Sequence, residues 1–122
     1  MVGLGIDVVA IARIADLLDR YGQRFRDKVL APGETAASAE SLAGLWAAKE
    51  AVAKALGSGF RGFGPASVAI YSDHGGAPRV QLLGAAAEVA QRLAVGSIHV
   101  SISHDVGIAI ACAVAIRQAK EV

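Results

Sequence analysis

Residues 45–57, LWAAKEAVAKALG, are the stretch around which the chain is organised. Almost all are strong helix formers, and Gly57 is the residue type that most easily takes the left-handed conformation after a last helical turn. Residues four apart lie on one helix face, so Trp46, Glu50 and Lys54 form a single stripe. On spacing alone, this stripe predicts no more than a surface ion pair between Glu50 and Lys54.

The composition indicates one domain, residues 1–122, with a core of small side chains. The chain is 54% hydrophobic, but much of this is alanine and valine, and only 5% is aromatic. The mean hydropathy of +0.48 is high for so short a chain, and we expect apolar surface to be buried between copies of it. The net charge of +1 gives no electrostatic case for nucleic acid.

The residues also favour an intracellular protein without a membrane contact. The single Cys112 lies in an apolar run, so no disulfide framework is expected, which fits a reducing compartment. The start, MVGLGID, lacks the basic segment and cleavage site of a signal peptide. Residues 106–116 are too short an apolar run to span a bilayer. We expect a cytoplasmic location.

Periodicity predicts an α+β fold in which a mostly antiparallel sheet packs against the long central helix. Strands are expected at 2–10, 66–71, 79–83, 98–103 and 108–116. Helices are expected at 11–21, 23–30 and 84–93, and residues 35–42 should lead helically into the central helix. Turns or loops are expected at 57–65, 73–78 and 104–107.

Asp7 needs an explanation, because an ionised carboxylate in an apolar strand is costly without a partner. If the central helix packs on this strand, Asp7 and Glu50 could share one hard cation. Two carboxylates without His or Cys at ligand spacing suit Mg²⁺ better than Zn²⁺. The alternative is that the two acids are unrelated and that Asp7 has another buried partner, such as a lysine.

Two further features after Glu50 could serve phosphate chemistry. Lys54 could neutralise charge that develops during phosphoryl transfer. The four-glycine loop at 57–65 could present backbone N–H groups to phosphate oxygens, although a flexible connection is the simpler interpretation. The loop does not match the phosphate-binding loop that ends in Gly-Lys-Ser/Thr, nor a dinucleotide fingerprint.

His104 and an early basic segment have two interpretations each. In the alternating strand at 98–103 and beyond, Val100, Ile102 and His104 face one way, and His104 is either a ligand contact or a hydrogen-bonded structural residue. The basic residues are either a solvated helix face or a docking surface for an acidic partner. They are Arg13, Arg20, Arg24, Arg26 and Lys28.

Three separated segments together resemble the holo-acyl-carrier-protein synthase family, the small single-domain type of 4′-phosphopantetheinyl transferase. They are Gly5-Ile6-Asp7 followed by Arg13, Trp46-Ala47-Ala48-Lys49-Glu50-Ala51 with Lys54 and Gly57, and His99-Val100-Ser101-Ile102-Ser103-His104. The match runs over nearly the whole chain, and it implies the 4′-phosphopantetheinyl transferase fold.

The resemblance implies a reaction and a site. Coenzyme A gives its 4′-phosphopantetheine arm to a serine hydroxyl of an acyl carrier protein, and 3′,5′-ADP leaves. Asp7 and Glu50 would hold Mg²⁺, and Lys54 would contact the phosphates as the third catalytic residue. Besides Lys54, the expected coenzyme A contacts are Gly57, Ser58 and His104, the last near the nucleotide 3′-phosphate. Either a water or Glu50 would accept the serine proton.

The resemblance also implies partners. The basic first helix, with Arg13, would dock the acidic recognition helix of the carrier protein, and Arg20, Arg24 and Lys28 would extend that face. The small members are homotrimers with sites at subunit interfaces. Many relatives carry a basic residue where this chain has Leu45, so a contact from that position is absent or moved, and the carrier served, of fatty-acid or polyketide type, stays open.

Two other functional classes fit the residues without the resemblance. One is a non-enzymatic oligomeric binding module, in which the pair formed by Glu50 and Lys54 is a surface ion pair. The other is a metal-dependent phosphohydrolase, which would need a water-activating site and no carrier protein.

Overall fold

The structure, a computed structural model, describes residues 1–119 and has five strands and four helices in that range. The strands are β1 (Gly3–Ala10), β2 (Val68–Ser72), β3 (Pro78–Leu82), β4 (Val95–Asp105) and β5 (Ile108–Arg117). The helices are α1 (Ile11–Tyr21), α2 (Gln23–Val29), α3 (Ala39–Ala55) and α4 (Gly84–Arg92), and Pro65–Ser67 forms a short 3-10 turn.

The predicted α+β architecture is confirmed. Three strands form an antiparallel sheet in the order β1-β5-β4, and β2 and β3 form a separate antiparallel hairpin. In the main sheet Asp7 lies opposite Ala111, which in turn lies opposite Ile102 on β4. The long helix α3 packs on this sheet, so residues of β1 that point inward meet the helix.

Small side chains let α3 lie close to the sheet, as the composition predicts. Alanine is the most frequent residue type of the core, and β5 turns alanine at every second position toward α3. On the helix the buried alanines are Ala43, Ala47, Ala48, Ala51, Ala53 and Ala55, and on β5 they are Ala109, Ala111, Ala113 and Ala115. Because alanine carries only a methyl group, the backbones of helix and sheet can approach closely.

The approach is closest at β1, where two glycines replace side chains altogether. A Cβ atom at Gly5 would lie 1.9 Å from the carbonyl oxygen of Ala51, and one at Gly3 would lie 1.9 Å from that of Ala55. No residue other than glycine therefore fits at position 3 or position 5. Side chains alternate along a strand, so Asp7, two residues after Gly5, also faces α3.

The opposite face of the sheet carries large apolar side chains that no element of residues 1–119 covers. Leu4, Ile6 and Val8 of β1 point to this face and are more than half exposed. Ile108 and Ile110 of β5 continue it and are about two-fifths exposed. This surface matches the apolar surface expected from the hydropathy of the chain.

The helical lead-in predicted at 35–42 is wrong for its first residues. α3 begins at Ala39, and Ser38 caps it, since its Oγ accepts a hydrogen bond from the Ser41 N–H at 3.0 Å. Serine is a favoured N-cap residue, because its side-chain oxygen pairs with a backbone N–H that has no partner within the first turn, so the helix begins directly after it. Just before it, the carbonyl of Ala36 accepts a hydrogen bond from the Arg26 guanidinium instead of one within a helix.

Two strands also differ from their predicted bounds by more than one residue at an end. Residues 66 and 67 belong to the 3-10 turn that starts at Pro65, so β2 begins at Val68. β4 runs from Val95 to Asp105, so His104 lies within the strand and not in the following turn.

Among the helices in the described part of the chain, none is long and apolar enough to cross a membrane.

The glycine contact yields a direct test by Gly5→Ala. The added methyl group would meet the Ala51 carbonyl, and we expect a loss of about 3 kcal/mol in the free energy of unfolding, the upper end for overpacking. Gly75→Ala is the control, because its Cβ would have no neighbour nearer than 3.5 Å. Chemical denaturation of both variants measures the difference, and equal stability of the two would contradict the contact.

Candidate active site

Asp7 and Lys54 form an ion pair between β1 and α3. The Lys54 Nζ lies 3.2 Å from Asp7 Oδ1 and donates a hydrogen bond to the Ile6 carbonyl oxygen at 3.0 Å. The Asp7 side chain is 15% exposed and that of Lys54 is 50% exposed. The prediction of a surface ion pair between Glu50 and Lys54 is wrong, since among residues 1–119 the ion-pair partner of Lys54 is Asp7 on the strand.

Glu50 lies in the electrostatic field of the same group. Burial raises the pKa of the Glu50 carboxyl, and the neighbouring Asp7 carboxylate raises it further. Lys54 and Arg13 act in the opposite direction. Asp7 and Glu50 therefore lie near enough to interact electrostatically. A cation bound between two like charges would offset their repulsion.

The donor set suits a cation that keeps much of its own solvent or substrate shell. In the described residues no group of three or more His, Cys, Asp or Glu side chains could hold a metal ion. Asp7 and Glu50 alone would leave most positions of an octahedral ion to waters and phosphate oxygens, which is how Mg²⁺ is commonly bound. A closed zinc site, with four protein ligands, does not fit.

The glycine loop follows this cluster directly. Gly57 has φ +82°, the left-handed conformation predicted for it, and Gly59 and Gly62 also have positive φ. The N–H groups of Gly57 and Gly59 cap α3 by donating to the carbonyls of Lys54 and Ala53. These two N–H groups are therefore not free for phosphate. The Ser58 hydroxyl donates to the Gly59 carbonyl at 2.9 Å.

Trp46 starts the stripe as a packing residue. Its ring lies 6.0 Å from that of Phe25 of α2, centroid to centroid. Both rings line a cleft of about 720 Å³, together with Leu17, Tyr21, Arg24, Lys28, Phe60, Gly64 and Pro65. Two of the predicted partner-binding residues thus lie at an apolar cleft beside the end of α1.

The other predicted basic residues are distributed along α1. Arg13 and Arg20 are exposed, and Arg20 pairs with Asp16 at 3.3 Å. Arg13 lies near enough to Glu50 to lower the pKa of that carboxyl. Arg26 differs from them, since it is half-buried and is engaged with the Ala36 carbonyl.

His104 is not brought to the carboxylates within one chain. Its Nδ1 lies 3.6 Å from Glu40 Oε1, in the first turn of α3. Glu50 follows ten residues later, about 15 Å along the helix at 1.5 Å per residue. His104 lines a second cavity of about 630 Å³, and Leu45 and Tyr71 are among its other lining residues.

Sequence reasoning missed the most buried charge of the molecule. Lys49, next to Glu50, has no exposed area, and its Nζ lies 2.6 Å from Glu34 Oε1. Burial lowers the pKa of Lys49, against the opposing effect of the Glu34 carboxylate. The signal was present, because residues three and four positions to either side of Lys49 are all apolar: Leu45, Trp46, Val52 and Ala53.

Comparison with known proteins agrees with this fold. Residues 3–112 match the family described as the 4′-phosphopantetheinyl transferase superfamily. The chain belongs to this superfamily, which confirms the resemblance found in the sequence.

Particular relatives narrow the class. The holo-[acyl-carrier-protein] synthase of Desulfovibrio desulfuricans is 49% identical over 119 residues, covering 93% of this chain and 96% of the relative. That of Beutenbergia cavernae is 49% identical over 118 residues, covering 96% and 99%. The Helicobacter pylori synthase in complex with coenzyme A superposes with a TM-score of 0.84 at 34% identity, covering 93% of this chain and 99% of that one. The Neisseria meningitidis synthase gives 0.89 at 30% identity, covering 96% and 100%.

Proposed function

We infer that this chain transfers the 4′-phosphopantetheine group from coenzyme A to a serine hydroxyl of an apo acyl carrier protein and releases 3′,5′-ADP. The observation that carries the inference is the convergence of Asp7, Glu50 and Lys54 between β1 and α3. The relatives named as holo-[acyl-carrier-protein] synthases, one of them solved with coenzyme A, support the same substrates.

Asp7 and Glu50 are proposed to hold Mg²⁺. The ion would supply positive charge to the pyrophosphate and polarise its phosphorus–oxygen bonds. The closeness of the two carboxylates supports this assignment, since the Asp7 carboxylate raises the pKa of Glu50 and a bound cation would offset that repulsion. The alternative, a binding module in which Lys54 alone neutralises Asp7, does not explain why a second carboxylate, that of Glu50, lies beside this pair.

The transfer then depends on position and charge. The serine oxygen attacks the phosphorus that bears the pantetheine arm, a new phosphorus–oxygen bond forms, and the bond to the bridging oxygen breaks, so that 3′,5′-ADP leaves with that oxygen. Lys54, half exposed beside Asp7, would stabilise the charge that develops on the leaving group. Either Glu50 or a water takes the serine proton. Gly57 and Ser58 are proposed to contact coenzyme A beside Lys54.

The exposed basic residues are proposed to dock the carrier protein. Arg13 and Arg20 on α1, with Arg24 and Lys28 on α2, lie on the exposed side of the two helices. The cleft lined by Leu17, Tyr21 and Trp46 adds an apolar patch beside Arg24 and Lys28. A helix that is acidic on its surface and apolar along one stripe fits both features.

The working form is proposed to be a cytoplasmic homotrimer. The uncovered apolar face of β1 and β5 supports burial between copies. The separation of His104 from the carboxylates supports a site shared between copies, in which the neighbouring chain's His104 reaches the nucleotide of coenzyme A.

Transfer itself is the first test. With Mg²⁺ and coenzyme A, the purified protein should add one 4′-phosphopantetheine to an apo acyl carrier protein, as seen in the intact mass. Asp7→Asn and Glu50→Gln should each lower kcat/KM about 100-fold or more, because the charge that holds the cation is lost. Glu88→Gln, an exposed carboxylate on α4, is the matched control. No transfer to any of a panel of carriers contradicts the function, and full activity of either variant contradicts the metal assignment.

Charge reversal on α2 tests the docking surface. Arg24→Glu and Lys28→Glu should raise KM for the carrier about 10-fold at low ionic strength with kcat nearly unchanged, and added salt should narrow the difference. The control is Arg92→Glu at the end of α4, which should leave KM as it is. A similar rise in KM for the control would mean that the surface is not specific.

The oligomer is tested by placing a charge on the uncovered sheet face. Ile6→Glu would cost little in a monomer, where residue 6 is exposed, but would bury a carboxylate in an assembly. The control is Gln91→Glu, which places the same charge on the exposed surface of α4. By sedimentation we expect trimers for the unaltered protein and for the control, but monomers with little activity for Ile6→Glu. A monomeric unaltered protein with full activity would refute the proposal.

A further inference from the structure

A buried ion pair ties four separate segments together behind the candidate site. Lys49 has no exposed area, and besides the Glu34 carboxylate its Nζ contacts the Pro65 carbonyl oxygen at 3.1 Å. Lys49 lies next to Glu50 in α3, but consecutive residues of a helix point about 100° apart, so it faces the interior instead of the stripe.

Glu34 is as fully engaged as its partner. Its side chain is 7% exposed, and each carboxylate oxygen accepts a backbone N–H at 2.7 Å, Oε1 that of Ala31 and Oε2 that of Ile70. The pair therefore joins the turn after α2, the middle of α3, the end of the glycine loop and strand β2. Among residues 1–119, no buried side-chain nitrogen or oxygen lacks a partner.

Such a pair is a weak source of net stability. The cost of removing two charges from water offsets much of their attraction, and apolar residues of the same volume often stabilise a protein as well. What the pair adds is positional constraint, because each hydrogen bond fixes the distance and orientation of one segment relative to the pair. One of the segments fixed in this way is the end of the glycine loop, at Pro65.

The loop Gly57–Gly64 is fixed at both ends on the same helix. Its first end is held by the N–H groups of Gly57 and Gly59, which cap α3. Its second end runs into Pro65, whose carbonyl Lys49 holds. Between them, Phe60 and Phe63 pack edge to face at 5.8 Å, and Phe60 lines the cleft beside Trp46.

We propose that Lys49 and Glu34 are positioning residues, which set the loop Gly57–Gly64 at a fixed distance from Glu50 and Lys54 and thereby set the affinity for coenzyme A. The assignment of coenzyme A to this loop rests on the proposed function. Lys49 is closed off from solvent, so it acts on the substrate only through the loop.

The test compares Lys49→Met and Glu34→Gln with the unaltered protein. By hydrogen exchange of the free proteins, residues 57–64 should exchange about 10-fold faster or more in both variants, while β5 should not change. In the transfer assay, KM for coenzyme A should rise about 10-fold, with KM for the carrier and kcat nearly unchanged, since a displaced loop weakens binding without touching the carboxylates.

Leu42→Ala is the matched control, because Leu42 is fully buried on the same helix and its truncation destabilises by a cavity instead of a lost tether. It should lower the free energy of unfolding without accelerating exchange of the loop. If the variants merely match this control, or if loop exchange and KM for coenzyme A stay unchanged, the proposal is overturned.

If the variants do not fold, native-state hydrogen exchange of the unaltered protein tests the same proposal. The amides of Ala31 and Ile70 and those of the loop should open in one step with one free energy, because the Glu34 carboxylate accepts the first two and its partner Lys49 holds the end of the loop through the Pro65 carbonyl. Independent opening contradicts the tether. A loosened loop with unchanged KM refutes the role in coenzyme A binding, whereas absence of transfer by the unaltered protein refutes only the proposed function.

Discussion

The backbone of β1 lies directly on the carbonyl groups of α3, and the rest of the site depends on that contact. It requires glycine at positions 3 and 5, since a single Cβ atom there would overlap the carbonyl oxygens of Ala55 and Ala51. The alanines of β5 continue the same close approach across the sheet. A strand held so near the helix brings Asp7 within reach of Lys54 and into the field of Glu50. Bulkier residues in this layer would widen the gap and separate the two carboxylates, however well each was preserved.

Much of this arrangement could be predicted from the sequence because the deciding signals are local. The strong helix formers of residues 45–57 and the final glycine predict α3 and its end, and runs rich in β-branched, apolar residues predict β1, β4 and β5. The expectation that Asp7 and Glu50 lie near each other required one further assumption, that the helix packs on the first strand, and the close contact of Gly3 and Gly5 with α3 confirms that packing. Boundaries were less predictable where a side chain supplies the partner of a backbone N–H, as Ser38 does when it caps the start of α3.

The rest depends on distances across the fold, which the spacing of residues along the chain does not contain. Lys54 pairs with a strand residue 47 positions away and not with Glu50 one turn before it. Glu34 stood in a segment that Pro32 and Gly33 mark only as a break, yet its carboxylate serves Lys49 and two backbone amides. His104 follows the predicted face of its strand but lies at the far end of α3 from the carboxylates, beside Glu40. The family resemblance implies that His104 serves the same site as Asp7, Glu50 and Lys54, whereas within one chain His104 lies apart from them.

The pairing of β1 with β5 also bears on the order in which the parts of the protein fold. Gly3 lies opposite Ala115, so the two paired strands are separated by nearly the whole described chain. Before they pair, the apolar side chains of β1 have no sheet to join. Contacts between residues so far apart along the chain form late, because closing a long loop costs entropy before any pairing is gained. We therefore expect the candidate site to form late in folding, because β1, which carries Asp7, joins the sheet through β5.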